Sequence, residues 1–333
     1  MNASTGPRWL VFWLGLAVVL VAAGSLAVGP TTLKPTEWLA ALTGGHDDPL
    51  RIILWEVRLP RVVLGVLIGA SLGLAGAALQ GFLKNPLADP GVLGISAGGA
   101  LGAVLVFYTG LAMRFSWALP AGGLLGALGS ALLLPLLAGR NPAVQTLVLA
   151  GMALNAFFGA LLTLVLNLSP NPFANMEVVF WLMGSLGDRG WNHVQLAAPF
   201  LAVGAVLLAA TGPALRALSL GDDTAASLGF RPGRTQALLV AGAAFSVGAS
   251  VAVSGVIGFV GLVVPHLMRP LAKSDPQRLL LLSALGGAIL LPASDALVRA
   301  IHIGPELKLG VVTALLGAPF FLALLVKLRR ELQ

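Results

Sequence analysis

The sequence predicts an all-α, polytopic membrane protein of about ten spans, and three observations carry that prediction. Of its 333 residues 57% are hydrophobic and 10% charged, against about 25% charged in an ordinary soluble domain. Most of the surface must therefore face something other than water. Apolar runs recur at lengths that suit a hydrocarbon layer of about 30 Å. Glycines repeat every fourth residue within at least one run (Gly65, Gly69, Gly73), a pattern that lets helix backbones approach closely where no water drives association.

Taken in order, the runs fall at 10–28, 61–82, 92–110, 117–138, 143–166, 195–213, 236–254, 256–271, 278–300 and 307–327. The first follows Arg8 and is about 20 residues long, which fits a retained span better than the 7–15-residue core of a cleaved leader. The segment 256–271 holds Pro265 and ends at Arg269-Pro270. It is short for an upright crossing, so a broken or tilted span is expected there. Ten spans place both termini on one side. With the termini inside, 12 Lys and Arg fall on the inner side and 8 on the outer, a bias in the inside-positive sense. The net charge of +7 is thus a topological signal, and nucleic acid is not an expected partner. A single transmembrane domain covering 1–333 is expected, with a cytoplasmic loop at 213–235. A periplasmic loop at 167–194 should carry a short interfacial helix marked by Trp181 and Trp191.

Several chemistries are disfavoured by residue type alone. Cysteine is absent, which removes disulfides, thiol nucleophiles and thiolate metal sites. His46, His193, His266 and His302 are scattered and show no metal-ligand spacing, and His266 reads as a capping or hydrogen-bonded group. No Gly precedes a Lys, so the GxxxxGK[ST] phosphate loop is missing and any pumping must draw on a partner. Gly94-Ile95-Ser96-Ala97-Gly98 has the spacing of a nucleophile elbow. That motif needs a strand–turn–helix setting, and small-residue packing explains Ser96 better than an intramembrane serine protease. A secondary transporter coupled to ions or protons would want an acidic residue at mid-membrane. Asp295 is the nearest, and it stands four residues before Arg299, where an ion pair along a helix is expected.

The motifs Arg58-Leu59-Pro60-Arg61, the small-residue helix after it, and NPLADPGVLGISAGGALGA from Asn85 to Ala103 resemble the FecCD-type, BtuC-like permease family. These are the membrane subunits of type II ABC importers for ferric siderophores, haem and cobalamin, and the resemblance runs from roughly residue 55 to the C-terminus. It implies a non-enzymatic, homodimeric permease in the bacterial inner membrane. Two cytoplasmic ATPase subunits and a periplasmic substrate-binding protein would be its partners, with ATP and Mg on the ATPase and no cofactor on this chain.

The resemblance also assigns roles. Gly221, Asp222, Asp223, Ala225, Ala226, Leu228 and Gly229 match the coupling helix that docks on the ATPase. On local pattern they form a two-turn helix with acidic residues at its positive end and glycines at both limits. Arg58, Arg61 and Arg299 match arginines that meet acidic residues of the binding protein; snorkelling to the interface and the Asp295 pair are the plainer readings. Asn85, Pro86 and Leu87, with Val144 and Gln145, match the cytoplasmic gate, although Asn85-Pro86 also suits an ordinary tight turn. Gly255, Gly258 and Gly261 form a narrow strip open to another helix or to substrate. The implied pathway lies at the dimer interface, lined by span two, span five and 255–271.

Overall fold

The computed structural model describes residues 6–29, 37, 41, 45, 48–115, 117–139, 144–169, 171–301 and 307–331, without the side chains of 6–8, 325 and 327–331. Lys34, Trp38, His46, Asp47, Arg140 and His302 lie outside them. Helices account for all ten predicted runs, and no strand occurs among the described residues. Among the described residues seven helices are long and apolar enough to cross a membrane, and three shorter apolar helices complete the ten.

With three helices of the connections numbered among them, the elements in chain order are α1 (Gly6–Ala27), α2 (Pro49–Phe82), α3 (Ile95–Tyr108), α4 (Ala118–Ala138), α5 (Val144–Leu168), α6 (Pro172–Leu182), α7 (Trp191–Ala209), α8 (Gly212–Leu218), α9 (Asp222–Ser227), α10 (Pro232–Ser254), α11 (Val260–Ala272), α12 (Pro276–Ala300) and α13 (Leu309–Glu331). Predicted span six stops short of the structure. After a kink at Ala210–Thr211 the apolar helix resumes as α8, burying Ala214, Leu215, Ala217 and Leu218. Within α2 the turns over Ile53–Arg58 widen to a π-helix. Pro60 has no N–H to offer the carbonyl four residues back, and a single wide stretch absorbs that loss.

The centre of the bundle is α2 and α10, each with 78% of its apolar window buried. Glycine makes this possible. A methyl built on Gly69 would lie 2.1 Å from the Gly287 carbonyl oxygen, and one on Gly73 would lie 2.2 Å from that of Ser283. The Gly65–Gly69–Gly73 stripe is therefore the seam on which α2 meets α12, backbone against backbone. The same contact joins α3 to α4 at Gly98/Gly126 and Gly102/Gly122. By contrast α1 and α5 are peripheral, with 6% and 22% of their windows buried.

The segment 255–259 is not helical, and α11 starts only at Val260, after Phe259 in the left-handed region. Predicted span 256–271 is thus a broken one. Extended backbone at this position needs protein partners, and it has them: Ser185 N–H donates to the Ser254 carbonyl at 2.7 Å. Methyl groups on Gly255 or Gly310 would collide with the carbonyls of Trp181 and Met183.

Candidate functional site

Most of the candidate residues gather near the two ends of α2, separated by its length. At the N-terminal end, Arg61 grips Asp295 with a fork: Nε donates to both carboxylate oxygens at 3.0 and 3.1 Å, and Nη2 to Oδ1 at 2.9 Å. Arg299 Nε donates to the other oxygen at 3.1 Å, which realises the four-residue pair read from the sequence. The second edge of Arg299 reaches α1, donating to Ser25 Oγ at 2.6 Å and to the Val28 carbonyl. Arg58 Nη1 donates to the Leu26 carbonyl at 2.8 Å. The last carbonyls of a helix have no partner within it and carry partial negative charge. Two guanidiniums thus hold the end of α1 against α2 and α12.

All three arginines expected at a docking surface are engaged inside the chain. Arg58 and Arg299 are 5% and 7% exposed and Asp295 is 1% exposed. Neither snorkelling to the interface nor projection into water describes them. Asp295 is likewise committed to two cations, the opposite of a proton-carrying acid waiting for a ligand.

At the other end of α2, the chain leaves the helix at Leu83–Lys84 and breaks. Asn85 Oδ1 accepts from Leu87 N–H at 2.9 Å, the side-chain-held turn expected from Asn-Pro. Asp89 Oδ1 accepts from Gly91 N–H at 2.8 Å and opens a short 3₁₀ turn, Pro90–Leu93. Burial pushes the Asp89 carboxyl above its ordinary range, partly offset by that hydrogen bond. This break is tied to the bundle by Gln80, whose role the sequence reading missed. Its Nε2 donates to the carbonyls of Ala88 at 3.3 Å, Gly261 at 3.4 Å and Leu262 at 3.3 Å, and its Oε1 accepts from Arg269 Nη2 at 2.9 Å. The available signal was a lone amide in an otherwise apolar turn of α2.

The six-residue helix α9 lies beside the break. Gly221 (φ 115°) precedes it and Gly229 (φ 84°) follows it, conformations that glycine adopts without strain. Ala225 is buried and anchors it, while Asp222, Asp223, Thr224, Ala226 and Ser227 face outward. Leu220 and Leu228 are 67% and 60% exposed, so apolar side chains flank α9 at both ends with none of the described residues over them. Lys84 Nζ meets Asp222 Oδ1 at 2.9 Å. A cleft of about 550 Å³ is lined by Gln80, Lys84, Asn85 and Pro86 on one side and by Leu220, Gly221 and Arg269 on the other. Two segments singled out separately in the sequence thus meet here: Asn85 and Pro86 face Gly221 across the cleft, and Lys84 ties the break to Asp222.

Other chosen residues lie apart from it. Val144 and Gln145 begin α5, half-buried and exposed respectively, and neither lines the cleft. The glycine strip is used mainly for packing: a methyl on Gly76 would lie 1.8 Å from the Gly261 carbonyl oxygen, and Gly255 abuts Trp181. Gly258 alone of the three has open space around it. Ser96 sits in the first turn of α3, and His266 stands edge-on to Phe320 at 5.5 Å between ring centroids. No hydrogen bond joins Ser96 and His266 as a nucleophile and its base would require.

Comparison with known proteins gives a concordant picture. The ABC transporter permease protein YvrB of Bacillus subtilis is 38% identical over 327 residues, covering 96% of this chain and 92% of YvrB. The vitamin B12 import system permease protein BtuC of Salmonella paratyphi A is 37% identical over 323 residues, covering 97% and 96%. A solved metal-chelate type ABC transporter, captured in an inward-facing conformation, superposes with a TM-score of 0.85 at 31% identity over 96% of this chain and 99% of that one. PsaBC from Streptococcus pneumoniae shares the fold at 17% identity, with a TM-score of 0.54 over 87% and 95%. The profile of the FecCD transport family matches residues 16–327, and the chain belongs to that family.

Proposed function

We propose that this chain is the permease subunit of an ABC importer, moving a large metal chelate inward with energy from ATP hydrolysed on a partner. The observation that carries the proposal is the cleft between the end of α2 and the Leu220–Gly221 entry to α9, bridged by Lys84 and Asp222. A small helix with exposed Leu220 and Leu228 is a surface that something else covers. Lys84 and Gln80 link it to the break in α2 and to α11. A partner that moves α9 thereby pulls on the helix at the centre of the bundle. Coupling of this kind requires contacts that differ between two states, and an exposed ion pair beside a cleft is a contact that can be exchanged.

Working as a homodimer, two copies would meet through faces left open in one chain, including Leu149, Met152 and Phe157 of α5 and Leu315 and Leu316 of α13. The pathway would run along that junction. The deep burial of α2 limits its part to the end bearing Asn85, Pro86 and Leu87. A lining of Gly, Ala, Ser and Leu suits a chelate released whole, since a bare ion would need carbonyl or charged ligands in the bilayer. Ferric siderophore, haem and cobalamin all satisfy that condition.

The α9 end is proposed to be cytoplasmic, with both termini, in a bacterial inner membrane. The Arg58, Arg61 and Arg299 end would be periplasmic and receive the binding protein. Acidic groups of that protein would have to draw these guanidiniums from Asp295 and the carbonyls of α1, which links docking to a shift of α1 and α12. In proteoliposomes, concentrative uptake should require the ATPase, nucleotide and binding protein together. Uptake driven by this chain alone would overturn the proposal. The cargo is identified by absorbance and mass on the binding protein purified with its ligand.

A further inference from the structure

A second cavity, remote from the cleft, lies between α4 and α10 and has a volume of about 1310 Å³, beyond the roughly 300–1,000 Å³ of small-molecule pockets. Its walls are apolar, with Leu132 and Pro135 on α4 and Ala241 and Phe245 on α10, and its mouth carries Arg231 and Arg234. Both arginines are exposed, and neither pairs with a carboxylate among the described residues. They occupy the start of α10, where the first turn has no acidic residue and no side-chain cap. Two cations at the positive end of a helix repel its dipole, so the sequence has placed them where the local field disfavours them. Gln236, 8% exposed, lines the same cavity, and its carboxamide makes no hydrogen bond within the described residues.

We propose that this groove is a binding site for an anionic phospholipid. The phosphate sits on Arg231, Arg234 and the start of α10, the glycerol-ester region takes the Gln236 amide, and the acyl chains fill the cleft between α4 and α10. An apolar trough opening sideways between two spanning helices, with a cationic mouth at one end, matches a phospholipid in both shape and charge. Basic pockets between spanning helices bind such headgroups elsewhere. The site depends only on the chain being embedded in a bilayer. It stands whether or not the importer reading does.

The test uses the full-length protein in nanodiscs of phosphatidylcholine alone or with a minor fraction of phosphatidylglycerol or cardiolipin, followed by native mass spectrometry of retained lipid. Anionic lipid should be retained over phosphatidylcholine. Each of Arg231→Gln and Arg234→Gln should weaken retention roughly five-fold, from about 1 kcal/mol per cation near an anionic lipid. Arg278→Gln, an exposed cation already paired with Asp275, should change it little. Ala241→Phe, which fills the trough without altering charge, should displace the lipid as well. Equal retention of phosphatidylcholine and anionic lipid, loss on Arg278→Gln matching that on Arg231→Gln, or protection of Arg231 by the ATPase subunit in place of lipid would each overturn the proposal.

Discussion

Replacing Asp295 with asparagine removes the one carboxylate on which Arg61 and Arg299 converge, and the structure sets the size of the loss. Four hydrogen bonds from two guanidiniums, between 2.9 and 3.1 Å, end on that group, which is 1% exposed. The amide turns a donor toward donors and removes the negative charge that both guanidiniums share. Breaking a buried pair in this way costs about 3–5 kcal/mol. Asp222→Asn is the internal comparison. It breaks a contact of similar length to Lys84, but the two side chains are 54% and 73% exposed, so the expected loss is about 0–1 kcal/mol. Denaturant unfolding in detergent should separate the two variants clearly. Because Arg299 also holds Ser25, Asp295→Asn should further loosen the end of α1 from α12, which hydrogen exchange at that end would register. Should Asp295→Asn fail to accumulate, Arg61→Lys, which keeps the charge and loses the fork, should give an intermediate loss. Equal, small shifts for Asp295→Asn and Asp222→Asn would refute the reasoning, since burial would then not decide the worth of these pairs.

Gly69→Ala should destabilise by roughly 1–3 kcal/mol through overpacking, because its methyl must push the Gly287 carbonyl back by about 1.3 Å to reach ordinary contact. Gly159→Ala, in open space on α5, should be neutral or stabilising by up to about 1 kcal/mol, as thermal unfolding in detergent would reveal. Bulky replacements at Asp222, Asp223 and Ala226 should abolish stimulation of the partner ATPase by the loaded binding protein while the protein stays folded. Unchanged uptake would remove α9 from the coupling role. Arg58→Glu combined with Arg61→Glu should slow association of the binding protein, most visibly at low salt, and an unaltered on-rate would reject docking at that end. Asp89 has its carboxyl raised by burial. The fold therefore favours its neutral form, and stability from this group is present at low pH and declines as pH climbs past the ordinary carboxylate range. Asp89→Asn keeps the acceptor for Gly91 and should flatten that decline, gaining stability near pH 7 but not near pH 4. A parallel pH profile would show that Asp89 ionises without cost.

Much of this architecture is legible in the residues because a bilayer leaves few options. Apolar length located the spans, and the repeat of Gly65, Gly69 and Gly73 announced a backbone-to-backbone seam, though not that α12 supplies its other half. The turn at Asn85 and the bounded helix at 222–227 were readable for a local reason: their determinants lie within a few residues. What stayed hidden was long-range. Arg61 and Asp295 are 234 positions apart, and nothing in either neighbourhood says that a cation at the start of one helix is buried against an acid near the end of another. Gln80 is hidden in the same way, since its carbonyl partners at Gly261 and Leu262 are invisible as residue types. The glycine strip at 255–261 could be read as open or closed. Only the neighbours decide: at Gly255 they are main chain, and at Gly261 they are the Pro90 ring and the Leu72 carbonyl.

The α2–α12 seam has a mechanical meaning. Where carbonyls touch α-carbons there is no side-chain cushion to compress, so the two helices behave as a single stiff spar, pinned together by a carboxylate at one tip and tied to α11 through an amide at the other. Any bending during turnover must be taken up by the joints around it. The nearest such joints are the left-handed residues Phe259, Lys273 and Ser274, which bracket α11.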